Sequence, residues 1–192
     1  LASIETFWLD RGQHLPMNIH QMQLRYQPAP DRLLWQLRTT GGDLYAVWLT
    51  RRMVRMLWPP LTKLVTQAGI VQTLPNATVL PEAQAMLAQA VRDRPLPGAS
   101  FAEPFDTRVT AQPLGAEPLL PEAIDLGPGD KGQGMKLQLR EAGGRRLAMQ
   151  LSADLSTALM RLMEQALAAA DWGLVVAPAA AEPDAGKPGV LN

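Results

Sequence analysis

The chain has 192 residues, 47% of them hydrophobic and 19% charged, and its acidic and basic side chains balance to a formal net charge of zero. That length suits one domain or two small ones with a real core, and the balance argues against a generic nucleic-acid or membrane-surface binder, which carries a basic excess. There is no cysteine, which excludes disulfide and thiol chemistry, and no apolar run approaches the roughly 20 residues that span a bilayer, so a soluble, cytoplasmic protein is expected.

In chain order, residues 1–16 read as an N-terminal extension without a secretory signal pattern, ahead of a first folded unit over residues 17–70. Its opening strand contains Met22 and Leu24, followed by the corner RYQPAPDR and the stretch WQLRTTGGDLYAVWLT at residues 35–50. Gly-Gly between two apolar runs signals a hairpin. A three-residue loop over Thr40, Gly41 and Gly42 pairs Leu37 with Tyr45, Trp35 with Val47 and Leu33 with Leu49, all on one face. A one-residue slip would turn every side chain over, so the apolar pattern selects this register. Thr50 then stands where a helix N-cap belongs. Met53, Leu57, Leu61, Leu64 and Ala68 form the helix's apolar stripe. Pro59-Pro60 is expected to kink or restart that helix after Trp58.

Residues 71–106 read as a connector holding one short amphipathic helix, Pro81–Asp93, with Ala83, Met86, Leu87, Ala90 and Val91 on one face. Residues 107–174 should hold one extra strand, Thr107–Gln112, and then a second copy of the first unit. The stretch LQLREAGGRRLAMQLS at 137–152 repeats the first hairpin with a displacement of 102 positions, Gln36 recurring as Gln138 and Gly42 as Gly144. The correspondence runs upstream to Ile124 and Leu126 and downstream to Leu155, Leu159, Met163 and Leu167. Glu141 falls opposite Arg145, and Ser152 is the second N-cap. Residues 175–192 read as an Ala/Pro-rich disordered tail. The expected fold is α+β: two pseudo-repeated β-β-β-α units, antiparallel sheets with helices packed on one face, plus the short connecting helix.

Three stretches invite a functional reading. GPGDKGQG at 127–134 has the glycine spacing of a phosphate cradle, but a strand follows it where such a loop needs a helix. The first unit turns the same corner with no glycine, so a structural corner is expected, with Lys131 as an associated cation. Arg51 and Arg52 lie in the first turn of a helix, where the dipole disfavours positive charge unless an anion docks; the second unit has Ala153 and Asp154 there. On the outer face of the first hairpin, Leu34, Leu44 and Trp48 surround Gln36 and Arg38, whereas the second hairpin shows Lys136, Gln138, Arg140, Arg146 and Gln150.

Enzymatic constellations are sparse. His14 and His20 are the only histidines, no nucleophile elbow surrounds a serine, and Glu82, Glu117, Glu122 and Asp125 need geometry to become a pair. No catalytic residue, metal or cofactor is assigned. The sequence thus suggests a non-enzymatic interaction or assembly protein binding a protein partner or a second copy through Trp48, Leu34, Leu44 and Arg38, with neither nucleic acid nor membrane as partner. The alternative is a small regulatory domain that binds an anionic ligand or nucleotide through Arg51, Arg52 and Lys131.

Overall fold

A computed structural model describes residues 18–73, 81–96, 104–132 and 134–174. The expected N-terminal extension, most of the proline-rich connector and the tail lie outside the described residues. Strands β1 (Ile19–Gln27), β2 (Arg32–Thr39) and β3 (Leu44–Thr50) form one antiparallel sheet. Strands β4 (Ala123–Pro128), β5 (Met135–Arg140) and β6 (Arg146–Leu151) form the other. Helix α1 (Arg51–Thr73) follows β3, α2 (Pro81–Asp93) lies in the connector, and α3 (Ala153–Ala170) follows β6. The β-β-β-α unit therefore occurs twice.

The two sheets agree in register pair by pair. Leu33–Leu49, Trp35–Val47 and Leu37–Tyr45 face each other in the first, and Met135–Leu151, Leu137–Met149 and Leu139–Leu147 in the second. Met22 sits opposite Leu37 and Ile124 opposite Leu139, so the correspondence extends to the opening strands. Gly42 and Gly144 carry the positive φ, +86° and +85°, that closes each three-residue loop. Both caps form: Thr50 Oγ1 accepts from Met53 N–H at 3.3 Å and Ser152 Oγ from Leu155 N–H at 3.2 Å.

The helices exchange partners. α3 makes its most extensive sheet contact with β1 of the first unit, and α1 makes its own with β4 of the second. α1 and α3 also pack on each other. One core results, containing Leu33, Trp35, Leu37 and Leu49 beside Met135, Leu137, Leu139 and Leu151, with Leu61, Leu159 and Met163 from the helices. At about 25 cal/mol per Å² of apolar area removed from water, burial of both inner sheet faces depends on the neighbouring unit's helix.

Three expectations change. Helix α1 runs unbroken through Pro59 and Pro60. Both prolines are exposed, as are Arg55 and Met56 four residues earlier, so the carbonyls deprived of a donor face water. Thr107–Gln112 is not a strand. Only Thr110 and Ala111 bond to the edge of β3, and the chain then turns through Pro113 and Gly115 before Leu119 makes an isolated parallel bridge to Val47. On α2, Val91 is buried, but Met86 is 77% exposed and Ala90 is exposed too, which narrows the buried face to the line of Ala83, Leu87 and Val91.

Candidate functional site

The outer face of the first sheet carries two cross-strand pairs built from the expected residues. Leu34 faces Trp48, and Arg38 faces Leu44. The two ends of the face differ. Arg38 donates from Nη1 to the Asp106 carbonyl at 3.1 Å and ion-pairs with the Asp106 carboxylate. That carboxylate also takes Arg108 at 2.9 Å. Hydrogen bonds from Arg108, first its side chain and then its backbone, with Arg38 adding to them, hold the Asp106 carboxyl well below the usual carboxylate range. Gln21 fixes the same segment by accepting from Asp106 N–H at 3.0 Å. Leu44 N–H donates to Ala111, and the side chain is buried. The Arg38–Leu44 end is thus covered from within the chain. Leu34 and Trp48, at the other end, are half-buried beside exposed Arg25, which lies opposite Leu34.

At the matching positions the second sheet is charged and wet. Lys136 pairs with Asp130 at 2.6 Å and Arg140 with Asp125 at 2.8 Å, while Arg146 and Gln150 are exposed.

Arg51 and Arg52 are exposed in a first helical turn that holds no acidic residue. With Arg55 and Met56 they line one shallow depression. Arg51 Nη2 donates to the Trp172 carbonyl at 2.7 Å, just past the end of α3, a favourable place for a cation. Trp172 Nε1 donates to Asp31 at 2.7 Å, and the Tyr26 hydroxyl donates to the same oxygen at 2.9 Å. The Tyr26 and Trp172 rings meet edge to face with centroids 6.0 Å apart. The indole bond, then the Tyr26 bond, hold the Asp31 carboxyl below its ordinary value, and Arg51 adds attraction. Sequence reasoning missed this cluster because its members come from β1, a corner, α1 and the end of α3.

Lys131 is elsewhere. It is exposed, with φ 55°, in a short 3₁₀ turn (Asp130–Gly132) whose Gly132 abuts Val71. At 1.5 Å per residue, the helix between Arg51 and Val71 is about 30 Å long. The glycine corner therefore sits against the last turns of α1, the end that favours cations, and does not join Arg51 and Arg52 in one site. The corner has its own structural reason. A Cβ on Gly134, at φ +74°, would lie 1.9 Å from the Leu151 carbonyl oxygen, so this glycine is demanded by the fold although Arg32 occupies the matching position.

The junction of α2 and α3 holds a second polar cluster absent from the sequence reading. Arg161 donates to the carbonyls of Arg92 and Arg94 at the end of α2. Glu164, beside Arg92, Asp93 and Gln89 in the same hollow, has its carboxyl pushed up by burial, against the pull of Arg92 and Arg161. Among the described residues, the acidic side chains singled out from the sequence form no pair. Asp125 is taken by Arg140, Glu117 and Glu122 are exposed, and Glu82 has no described side chain. Among the described residues no group of three or more His, Asp or Glu side chains could hold a metal, and no helix is long and apolar enough to cross a membrane. No protein-family model, curated protein or solved structure matches this chain.

Proposed function

We propose that the chain is a non-enzymatic interaction or assembly protein that receives a protein partner, or a second copy of itself, on the outer face of its first sheet. The observation that carries this reading is the Leu34–Trp48 pair. It stands half-buried where the second unit, in the same register, has Lys136 opposite Gln150. One copy builds the same strands with polar side chains at these positions, so the register does not require tryptophan in the other. Tryptophan and arginine are the residues that dominate interface centres, and exposed Arg25 lies beside the pair, opposite Leu34. The absence of cysteine suits a cytoplasmic setting. Light scattering over a concentration series, with capture of any candidate partner, tests the reading. Trp48→Ala is expected to weaken self-association, read from the concentration dependence of the mass, or partner capture, at least tenfold while thermal unfolding stays cooperative. Unchanged mass and unchanged capture would sink it.

A second reading has its own observation: Arg51, Arg52 and Arg55 share one depression at a helix start without a carboxylate in the first turn. Such a place suits an anion. Phosphate, citrate or a nucleotide at about 100 times its Kd would stabilise the fold by about 2.7 kcal/mol. Arg52→Ala should abolish the shift, and no shift with any of the three would remove the reading.

A further inference from the structure

The two units share a fold but not a charge. Residues 18–72 hold seven arginine and lysine side chains against two carboxylates, whereas the matching residues 120–174 hold six against seven. Five of the first unit's seven gather at one end of its sheet. Arg25 lies opposite Leu34, which faces Trp48. The next pair on the same face, about 7 Å along, is Arg32 opposite Thr50. Helix α1 then begins at once with Arg51 and Arg52, and Arg55 follows. Arg25, Arg52 and Arg55 are exposed, and Arg32 is half-buried. Two carboxylates lie nearby. Asp31 accepts from Trp172 and Tyr26, and Asp171 precedes the Trp172 carbonyl that engages Arg51. The positive excess therefore rests with Arg25, Arg32, Arg52 and Arg55.

None of the five arginines recurs. At the displacement of 102 positions stand Gly127, Gly134, Ala153, Asp154 and Thr157. The start of α3 shows how the chain itself covers such a place: Arg94, just past α2, ion-pairs with Asp154, so a cation from another element sits on an acidic first turn. At α1 the sign is reversed. Arginines stand where the helix dipole disfavours them, and the complement that fits them is a carboxylate, which a guanidinium takes with two parallel bonds. A twofold dimer on this face would set arginine against arginine. A nucleic-acid single strand calls for successive exposed rings, whereas Trp48 is half-buried and the Tyr26 and Trp172 rings are closed on each other. We propose that the partner received at the Leu34–Trp48 pair is an acidic segment of another protein. Its carboxylates meet Arg25, Arg32, Arg52 and Arg55, and an apolar side chain packs on Leu34 and Trp48. This rests on that face being the docking surface.

A fluorescent random copolymer of glutamate and tyrosine, titrated by anisotropy against the full chain in about 50 mM salt, where charges are weakly screened, tests this. Binding should weaken at least tenfold in Arg52→Glu/Arg55→Glu and in Trp48→Ala. It should stay within twofold of wild type in Arg146→Glu, on the second sheet. Glutamate near a helix start suits the dipole, so the double variant should unfold no earlier than wild type, which separates lost binding from lost folding. Should it unfold, Arg25→Glu on β1 repeats the test outside the helix, with a loss of at least threefold expected. A wild type that does not bind the copolymer overturns the proposal, and so does tighter binding of oligothymidylate. A mass that doubles without copolymer and reverts in Trp48→Ala would mean a second copy on the face, and overturns it too. The docking face and its acidic partner fail separately. Loss in Trp48→Ala with the arginine variants unchanged keeps the face and removes the acidic partner. Loss in the arginine variants with Trp48→Ala unchanged removes both, leaving an anion site at the helix start.

Discussion

Gly134 and Gly144 both have positive φ, but their surroundings differ, and the difference sets the cost of a methyl group. At Gly134 the new Cβ would overlap the Leu151 carbonyl at 1.9 Å, and backbone cannot swing aside as a side chain can. Gly134→Ala is expected to destabilise by on the order of 3 kcal/mol, combining left-handed strain with overlap. Gly144→Ala should cost about 1 kcal/mol from strain alone. Urea midpoints of the two variants check the ranking. Asp31 gives a pH prediction. Its folded pKa is depressed by the Trp172 and Tyr26 bonds, so its contribution is present above the ordinary carboxylate value and is lost as pH falls through the folded one. The stability gap between wild type and Asp31→Asn should therefore be largest near neutrality and shrink below about pH 4. A gap that grows on acidification would contradict the assignment.

At the scale of elements, what could be read in the sequence was whatever depends on neighbours along the chain. Alternation chose the hairpin register, hydroxyl residues marked both N-caps, and Glu141 met Arg145 where charge pairing put it, at 2.6 Å. That pair does more than join two strands: Arg145 Nη1 also donates to the carbonyls of Leu114 and Glu117, and Glu141 accepts from Leu120 N–H, pinning the segment before β4. Those acceptors are backbone groups distant in sequence, so no pattern announces them. Helix α2 illustrates the same limit. At 13 residues it is marginal alone, and two distant features hold it: Arg161 on its final carbonyls and the close approach of Val91 to Gly69, where a Cβ would come within 2.5 Å. Arg161→Met should leave both sheets protected in hydrogen exchange while α2 amides lose at least tenfold protection. Gly69→Ala should do the same by pushing Val91 away. The candidate surface was half legible: Trp48 and Leu34 stood out by comparison with the second unit, but the cover over Arg38 and Leu44 comes from Asp106, at the end of the expected connector, and Ala111, where the sequence suggested a strand.

For the molecule as a whole, the exchange of helices makes the two units one object. The first unit alone keeps α1 but loses α3 from β1, leaving Leu24 and Tyr26 without their cover. A chain restricted to residues 1–96 should therefore fold, if at all, only as a pair that trades helices, with a light-scattering mass twice its own and unfolding that depends on concentration. A stable, concentration-independent monomer would show that the contact of α3 with β1 is dispensable. The intact chain should unfold in one transition, with calorimetric and van't Hoff enthalpies in agreement.

The cover for β1 lies far along the polypeptide, and this bears on how the protein is made. As the ribosome releases the first hairpin, its inner face emerges well before α3 exists, and synthesis proceeds at only about 5–20 residues per second. For several seconds the nascent chain presents Leu24, Leu33 and Trp35 to the crowded cell, and only the arrival of α3 ends that interval.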